Sequence, residues 1–560
     1  MFEMRAIAAA FVCAALTLSS GPGLTQTQTQ TVIDTEQLGT RIDRYFTASA
    51  QNGVVPGAII VSRGGERIYE AYYGLADRAA GRGFGENTIF DIGSLTKQFT
   101  AAAILVLADR GEIALTDTLD RYFDNVPADK VSITIDQLLS HSSGISDDTG
   151  AFDGSDFGPF ISGQQVMAMV LASPLTSQPG TRYEYTNAGY SVLAAIIEHV
   201  SGQDYETFLR QTLFEPAGML NTGQRQLAWS EDTAARGYDY RRADPQRADL
   251  GHLFLTRWQD EPVSWHLLGN GGIHSTPADM ERWHQALQQG RILPPSSLRL
   301  YQEPHSPRVS PASPGFTHYG YGWAVGTNPA GAPVLSHNGG NSIFFASIHR
   351  YIDDDILVIH MTNEASREIE RMGYDVGRMI FDPAFEPAPI PPYAIRLALD
   401  FTASHDAGDA EALIPYIETR LGRGIDEAWI LNRAGFYQLS QRRHAWAIAL
   451  LRANTELFPG DGNLHDSLAT AYQRAGDHIA AIAEFRRALE LAPGDGSCHW
   501  CANSRQGLAE LGAALTNGAG RAWRIAGLTL PECRRDPDGP GGAPGVRIIR
   551  LPRANTYPGS

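Results

Sequence analysis

The pentapeptide Gly93-Ser94-Leu95-Thr96-Lys97 places a serine and a lysine three residues apart at the predicted start of a helix. Lysine occurs only at positions 97 and 130, although lysine and arginine together number 45. Arginine does not release its proton in a protein, whereas a partly buried lysine can become a neutral amine. One helical turn puts Ser94 and Lys97 on the same face. The spacing therefore indicates a nucleophile beside its base.

The residues around this pentapeptide predict a buried site. Phe90-Asp91-Ile92 is typical of a short extended segment, and the helix predicted over Thr100 to Arg110 is apolar nearly all round. Gly111 is expected to end that helix. The positive end of the helix dipole, at the start of the helix, favours a catalytic serine there. The competing interpretation is a surface helix with an ordinary serine and lysine.

Two further stretches carry groups that such a serine needs. In Tyr183-Glu184-Tyr185-Thr186-Asn187, Tyr185 can carry a proton, and Asn187 can bond both the lysine and a substrate carbonyl. In Ser336-His337-Asn338-Gly339-Gly340, the glycines permit close backbone approach, and a strand N–H can join that of Ser94 as an oxyanion hole. Each stretch is also compatible with an ordinary turn. His141 is predicted to be structural, with its ring bonded to neighbouring hydroxyls.

In their order and spacing these motifs resemble the serine β-lactamase and penicillin-binding protein superfamily. Within this superfamily, the motifs resemble the class C-like branch, which includes D-aminopeptidases, D-carboxypeptidases and esterases. The resemblance covers about residues 35 to 370. Its marks are Ser94-Leu95-Thr96-Lys97, Tyr185-Thr186-Asn187 and His337-Asn338-Gly339, supported by Leu138 to Gly144, Gly271 to Met280 and Tyr319 to Trp323.

The resemblance implies a serine hydrolase that acts on an amide or ester through an acyl-Ser94 intermediate. Lys97 and Tyr185 would share the general-base work, and Asn187 would orient Lys97 and the acyl chain. The backbone N–H groups of Ser94 and Gly340 would form the oxyanion hole. Neither a metal nor another cofactor is expected.

One departure concerns the substrate. Many relatives have Lys-Thr-Gly where this chain has His337-Asn338-Gly339, and histidine is mostly neutral at pH 7. We therefore expect weaker binding of a substrate carboxylate and no efficient β-lactamase activity. A D-amino-acid peptide, a β-lactam-like compound or a short ester remains as the expected substrate. The alternative is a catalytically idle sensor or scaffold acting through C-terminal repeats. An α/β-hydrolase is a third interpretation, but the sequence has no G-x-S-x-G nucleophile elbow.

The distribution of elements predicts an α/β (α+β) fold. Strands are predicted near both ends of the first 385 residues, with helices between them, which indicates an antiparallel sheet flanked by helices and an inserted helical region. The predicted strands are Gly57 to Val61, Arg67 to Tyr73, Ser342 to Arg350 and Ile356 to Thr362. The predicted helices are Thr100 to Arg110, Ile135 to Leu139, Tyr190 to Val200 and Pro277 to Gln289.

The rest of the chain is predicted to be an all-α repeat domain. Pro459-Gly460-Asp461-Gly462 recurs as Pro493-Gly494-Asp495-Gly496, the roughly 34-residue period of tetratricopeptide repeats. The predicted domains are a signal peptide at 1–25, a hydrolase domain at 33–385, a Pro-rich linker at 386–393, helical repeats at 394–517 and a loosely ordered tail at 518–560.

Composition limits the partners and the compartment. A formal net charge of −17 argues against nucleic acid. Ala6 to Leu18 is apolar and is followed by small residues, which predicts a secretory signal, with an uncleaved anchor as the alternative. The expected location is secreted or periplasmic, without an integral membrane segment after signal removal. The expected partners are a small-molecule or peptide substrate and a protein bound through the repeats.

Three cysteines remain after signal removal, at positions 498, 501 and 533. The spacing of Cys498 and Cys501 is compatible with a structural disulfide, a redox pair or half of a zinc site. No second metal-binding pair accompanies them, and the predicted catalytic region contains no cysteine.

Overall fold

The computed structural model describes most of the chain between residues 33 and 517. The described residues are 33–148, 160–224, 227, 229–244, 248–252, 263–308, 315–328, 331–494 and 497–517. The predicted signal peptide and the predicted C-terminal tail lie outside them.

An eight-stranded antiparallel sheet is assembled from distant parts of the chain in the order β2-β1-β14-β13-β12-β11-β10-β9. The first strand pairs directly with the last, and Ile60 lies opposite Ile359, so the prediction of a sheet built from both ends is confirmed. The strands are β1 (Gly57–Arg63), β2 (Glu66–Tyr73), β3 (Leu75–Asp77), β4 (Arg82–Gly83), β5 (Phe90–Asp91), β6 (Gly237–Tyr238), β7 (Asp249–Gly251), β8 (His274–Ser275), β9 (Ser306–Pro307), β10 (Phe316–Tyr319), β11 (Ala324–Thr327), β12 (Pro333–Gly340), β13 (Phe345–Tyr351) and β14 (Ile356–Thr362).

Helices cover both faces of this sheet. The helices of the sheet-containing region are α1 (Thr35–Gln51), α2 (Thr96–Asp109), α3 (Ile135–Leu139), α4 (Gly163–Ala172), α5 (Asn187–Ser201), α6 (Tyr205–Leu209), α7 (Glu215–Ala217), α8 (Pro277–Gln288), α9 (Pro295–Gln302) and α10 (Met372–Phe381). A π-helical turn, Arg210–Phe214, joins α6 to α7. The following helices are α11 (Ala394–Ser404), α12 (Leu413–Leu421), α13 (Trp429–Ser440), α14 (His444–Leu457), α15 (Gly462–Ala475), α16 (His478–Glu490) and α17 (Cys501–Asn517).

Several element ends differ from the sequence prediction for local reasons. Helix α2 begins at Thr96 rather than Thr100, so it contains Lys97. Helix α5 begins at Asn187 rather than Tyr190, because Thr186 precedes it as the N-cap residue. Strand β13 begins only at Phe345, because Ser342 has a φ of 67° in a turn.

The two faces of the sheet contact separate hydrophobic clusters, because side chains alternate along each strand. Ala58 and Ile60 of β1 belong to the cluster that includes α2, α5 and α8. Ile59 and Val61 belong to the opposite cluster, which includes α1, α10 and helices α11 to α14. Helix α2, which begins at Thr96 and contains Lys97, is therefore buried between the sheet and other helices.

The C-terminal helices form a separate apolar cluster over α13 to α17, which includes Leu451, Ala469, Phe485 and Leu511. A disulfide joins Cys498 to Cys501, the first residue of α17. The assignment to tetratricopeptide repeats and the domain boundaries stay predictions. Within the ranges given above, no helix is long and apolar enough to cross a membrane.

Candidate active site

Ser94 lies in a tight turn between β5 and α2. The turn is a 3₁₀ segment, Gly93–Leu95, and Gly93 adopts a φ of 50° that favours glycine. The Asp91 carboxylate accepts a hydrogen bond from the Gly93 N–H at 2.8 Å and another from the Asn341 side chain at 2.8 Å. These bonds fix the turn, so that the partly exposed Ser94 hydroxyl is held at the surface of a buried helix start.

Lys97 is fully buried one turn further along α2. Its Nζ lies 3.2 Å from Ser94 Oγ, 2.8 Å from Asn187 Oδ1 and 3.0 Å from the backbone oxygen of Asn270. A neutral amine has two N–H donors and one lone pair. The two amide-type oxygens can accept the N–H groups of a neutral amine, and the Ser94 hydroxyl can then donate to its lone pair, whereas an ammonium would donate to all three oxygens.

Tyr185 contacts both members of this pair. Its hydroxyl forms a hydrogen bond with Ser94, and Lys97 Nζ lies 4.7 Å from the centre of its ring. Burial raises the pKa of Tyr185 well above its ordinary value, and the Ser94 hydrogen bond lowers it only partly. The phenol is therefore neutral at physiological pH, and its O–H is available as a donor.

Asn187 is held by a carboxylate that the sequence analysis did not identify. Asp147 accepts hydrogen bonds from the Asn187 N–H at 2.9 Å, the Ala188 N–H at 2.8 Å and the Thr186 hydroxyl at 2.7 Å. A carboxylate at a helix N-terminus satisfies N–H groups that have no partner within the helix. Asp147 thereby fixes the first turn of α5, from which the Asn187 side chain reaches Lys97.

Strand β12 passes very close to the serine turn. A Cβ added to Gly339 would overlap the Ile92 carbonyl oxygen and lie 2.6 Å from the Ser94 nitrogen, and one added to Gly93 would lie 2.7 Å from the Gly340 nitrogen. The glycines at 339 and 93 are thus needed for this approach. The backbone N–H groups predicted for the oxyanion hole, those of Ser94 and Gly340, belong to these neighbouring segments.

His337 is buried behind the site rather than open to it. Its Nε2 lies 2.9 Å from the Tyr319 hydroxyl, and its Nδ1 lies 2.6 Å from the Asn338 carbonyl oxygen. Burial lowers the pKa of His337 to about 3. The imidazole is neutral at pH 7 and supplies no positive charge.

His141 packs beneath the tyrosines with its ring centre 4.4 Å from that of Tyr185. The expectation that hydroxyls would satisfy this ring is wrong for Nδ1, which accepts a hydrogen bond from the Thr186 backbone N–H at 3.2 Å. Burial lowers the pKa of His141 well below its ordinary value. Its neutral ring therefore helps to position the Tyr185 segment.

Two tryptophans of the sheet-containing region pack against other residues. Trp323 is fully buried, with its ring centre 5.8 Å from that of Tyr301. Trp265 packs against Gly163, and Trp258 lies outside the described residues. Sequence reasoning also missed Asn270, whose contact with Lys97 uses only a backbone oxygen and so leaves no side-chain signal.

The antiparallel sheet, a partly exposed serine beside a buried lysine, and the adjoining tyrosine and glycine strand are typical of acyl-transferring serine hydrolases. A family model described as Beta-lactamase matches residues 42–375. That span is more than half of the sequence, and the chain belongs to this family.

Curated relatives include a penicillin-binding protein and an esterase. The chain is 29% identical over 326 residues to penicillin-binding protein 4* of Bacillus subtilis (strain 168), a match that covers 55% of this chain and 68% of that relative. It is 28% identical over 341 residues to esterase EstB of Burkholderia gladioli, covering 55% of this chain and 85% of the esterase.

Solved structures support the fold. D-amino acid amidase from Ochrobactrum anthropi SV3, in complex with D-phenylalanine, aligns with a TM-score of 0.52 and 23% identity over 61% of this chain and 98% of the amidase. The octameric penicillin-binding protein homologue from Pyrococcus abyssi aligns with a TM-score of 0.53 and 24% identity over 66% of this chain and 82% of the homologue. These similarities show the shared fold, whereas the family match and the curated relatives indicate a serine hydrolase of amides or esters.

Proposed function

We propose that the chain hydrolyses its amide or ester substrate through an acyl enzyme on Ser94. The observation that carries the proposal is the fully buried Lys97 Nζ at 3.2 Å from Ser94 Oγ. Burial disfavours the ammonium form of a lysine and so favours the amine that a general base requires. Asn187 and the Asn270 carbonyl orient that amine, because they accept its two N–H groups.

Acylation uses Lys97 as the base. The Ser94 proton passes to Nζ while Oγ forms a bond to the substrate carbonyl carbon. The carbonyl oxygen becomes an oxyanion between the N–H groups of Ser94 and Gly340. When the bond to the leaving group breaks, the proton on Lys97 returns to that group through the Tyr185 hydroxyl, which is hydrogen-bonded to Ser94.

Deacylation reverses the proton path. Water attacks the acyl carbon, and its proton passes through the Tyr185 hydroxyl to Lys97. The bond between the acyl carbon and Oγ then breaks, and Ser94 recovers its proton. Because the pKa of Tyr185 is raised by burial, the resting tyrosine is a neutral relay and Lys97 is the base.

Covalent labelling tests the proposal. We expect a fluorophosphonate to add one adduct to the peptide containing Ser94 in the wild-type protein and none in Ser94→Ala. Ser404→Ala, which removes a hydroxyl on α11, is the matched control and should label normally. Failure to label the wild-type protein, together with no hydrolysis of esters, amides or β-lactams, would favour the idle sensor or scaffold.

A short ester or a D-amino-acid derivative is the substrate class that we favour. The neutral His337 gives no fixed charge at the position where many relatives have lysine, so β-lactams are expected to be poor substrates. The similarity to an esterase supports the ester. A screen of short-chain esters, D-aminoacyl amides and cephalosporins separates these classes, and efficient cephalosporin turnover would contradict the proposed order.

We further propose a secreted or periplasmic location and a protein partner for the C-terminal helices. The signal-like N-terminus supports the location, as does the disulfide between Cys498 and Cys501, because disulfides persist in oxidising compartments. Fractionation of cells tests the location, and recovery of the full-length chain in the cytoplasm would contradict it. Crosslinking through α13 to α17 tests for a protein partner.

A further inference from the structure

The two backbone N–H groups of the predicted oxyanion hole belong to segments that are far apart in the chain. Ser94 lies in the turn before α2, whereas Gly340 is the last residue of β12. An oxyanion gains from two donors only when both lie at hydrogen-bond distance from it. The catalytic geometry therefore depends on the contacts that fix these two segments against each other.

The loop between β12 and β13 indicates the direction of the Gly340 N–H. The Asn341 N–H donates a 3.2 Å hydrogen bond to the Phe344 carbonyl oxygen. Because hydrogen-bonded and non-hydrogen-bonded pairs alternate along an antiparallel ladder, the N–H of the preceding residue, Gly340, points away from β13. The pairing of β12 with β11 ends at Ser336. The Gly340 N–H therefore extends past the sheet ladder, as a donor to an oxyanion must.

A side-chain contact joins the two segments. Asp91, which precedes the serine turn, accepts the Gly93 N–H at 2.8 Å on one carboxylate oxygen. Its other oxygen accepts a 2.8 Å hydrogen bond from the Asn341 side-chain amide. Asn341 directly follows Gly340. A single carboxylate thus connects the turn that carries Ser94 with the strand end that carries the second donor.

The orientation of the Asn341 amide is fixed by the loop that follows it. Its side-chain oxygen accepts the Ile343 N–H at 3.2 Å and the Phe344 N–H at 2.8 Å. Since backbone N–H groups can only donate, the amide oxygen must face the loop and the NH₂ group must face Asp91. Aspartate at this position would place two carboxylates face to face, and serine would be too short to reach Asp91.

We propose that the hydrogen bond between Asp91 and Asn341 sets the distance between the Ser94 and Gly340 nitrogens. The inference rests on the proposed function, because that reaction creates the oxyanion. Asp91 and Asn341 act through the backbone, so they are positioning residues rather than catalytic ones. A displacement of about 1 Å in such a site can lower a rate by about 100-fold. Loss of the hydrogen bond should therefore slow turnover although every catalytic group is still present.

An exchange of the two side chains tests the proposal. Asp91→Asn sets two NH₂ groups against each other, and Asn341→Asp sets two carboxylates against each other. In the double variant, the amide introduced at position 91 can accept the Gly93 N–H and donate to the carboxylate introduced at position 341, which still accepts the loop N–H groups. We expect each single variant to lower kcat/KM for phenyl butyrate by about 10- to 100-fold. The double variant should recover most of that loss.

A thiono ester separates an effect on the oxyanion from general damage. Sulfur accepts hydrogen bonds weakly, so wild type should prefer phenyl butyrate to its analogue with sulfur in place of the carbonyl oxygen. The single variants should lower this preference by about 10-fold, and the double variant should restore it. An equal loss of both esters in the single variants would overturn the proposal, and so would a double variant that keeps the lowered preference.

A second pair of the same residue types supplies the matched control. The Asn503 side-chain amide lies 3.0 and 2.8 Å from the two carboxylate oxygens of Asp466, between α17 and α15. Asn503→Asp also sets two carboxylates against each other. It should lower the stability of the C-terminal helices and keep the wild-type preference for the oxygen ester.

Crystal structures measure the distance itself, whether or not the chain turns over an ester. Asn341→Ser serves if the other single variants fold poorly, because its hydroxyl can still cap the loop but does not reach Asp91. We expect the distance between the Ser94 and Gly340 nitrogens to change by about 1 Å in Asn341→Ser and to return to its wild-type value in the double variant. An unchanged distance in Asn341→Ser would overturn the proposal. A changed distance in a protein whose wild type hydrolyses neither ester would count against the proposed function only.

Discussion

At the scale of single residues, the proposed role of Lys97 requires a side chain that can become a neutral amine. Arginine would keep a positive charge on α2 but could not serve as a base. We therefore expect Lys97→Arg to lower kcat/KM for a short ester by about 10²- to 10⁴-fold, the usual contribution of general-base catalysis. Steady-state hydrolysis of a phenyl ester measures the effect.

The second lysine supplies a matched control. Lys130 is buried, but its Nζ is paired with Asp129 at 2.8 Å, and arginine can also make that pair. Lys130→Arg should therefore hydrolyse the same ester at the wild-type rate. If Lys97→Arg keeps activity, Lys97 acts only through its charge and the base lies elsewhere.

Tyr185 allows a second test of the proton path. Tyr185→Phe keeps the ring over which Lys97 lies but removes the hydroxyl that bonds Ser94. Because the hydroxyl is proposed to carry protons in both steps, we expect kcat to fall by about 10²-fold or more. Stopped samples analysed by intact-protein mass spectrometry would show whether acylation or deacylation is slowed, and an unchanged kcat would exclude Tyr185 from the relay.

The site residues that the sequence predicted lie close together in pairs along the chain, whereas the contact that it missed joins distant residues through a backbone atom. Ser94 and Lys97 are three residues apart, so helix geometry alone relates them. Tyr185 and Asn187 are separated by one residue in the chain, so the sequence could indicate them together. The Lys97 contact with the Asn270 carbonyl joins residues 173 positions apart through a backbone atom, and no side-chain pattern encodes such a contact.

At the scale of elements, the start of α5 depends on Asp147. Three hydrogen bonds from Thr186, Asn187 and Ala188 end on this carboxylate. Asp147→Ala should lower the free energy of unfolding by about 1–3 kcal/mol. It should also lower kcat, because the first turn of α5 no longer fixes Asn187 against Lys97. Urea unfolding and ester hydrolysis measure the two effects.

A cap distant from the site separates stability from activity. Asp34 caps α1 through a 3.0 Å hydrogen bond from the Gln37 N–H, so Asp34→Ala should lose stability without loss of kcat. Asp147→Ala with the same kcat as Asp34→Ala would show that Asp147 has only a structural role.

The close approach of β12 to the serine turn gives a prediction with its own internal comparison. A methyl group at Gly339 would meet the Ile92 and Ser94 backbone, whereas the nearest atoms to one at Gly340 are 3.5 Å away. Gly339→Ala should therefore separate the two segments and abolish fluorophosphonate labelling, while Gly340→Ala should still be labelled. Both variants retain their backbone N–H groups, so equal labelling would show that the approach is not needed for acylation.

At the scale of the whole molecule, the sheet was predictable because its hairpins are local and apolar segments lie near both ends of the first 385 residues. Gly64 and Gly65 mark the turn between β1 and β2, and the partner of β1 is the last strand, β14. The packing of α11 to α14 against the outer face of the sheet was not foreseen. Apolar residues reveal that a helix has a buried face, but not which neighbour covers it.

That outer face also makes the stability of the molecule depend on pH. His349 and His360 lie on neighbouring sheet strands, and burial lowers their pKa values to about 3 and about 4. Both are neutral in the folded chain, whereas the unfolded chain binds their protons below about pH 6.5. Their contribution is therefore complete above that pH and is lost as the pH falls toward 4.

Linkage sets the size of this effect at about 1.4 kcal/mol per pH unit for each histidine. At pH 5 the pair should thus reduce the free energy of unfolding by about 4 kcal/mol relative to pH 7.5. Urea unfolding at a series of pH values measures the slope. His349→Gln/His360→Gln should be less stable at pH 7.5, because the hydrogen bonds to Ser336 and the Pro56 carbonyl change, but its stability should fall less steeply with acid. A double variant with the wild-type slope would assign the acid sensitivity to other buried groups.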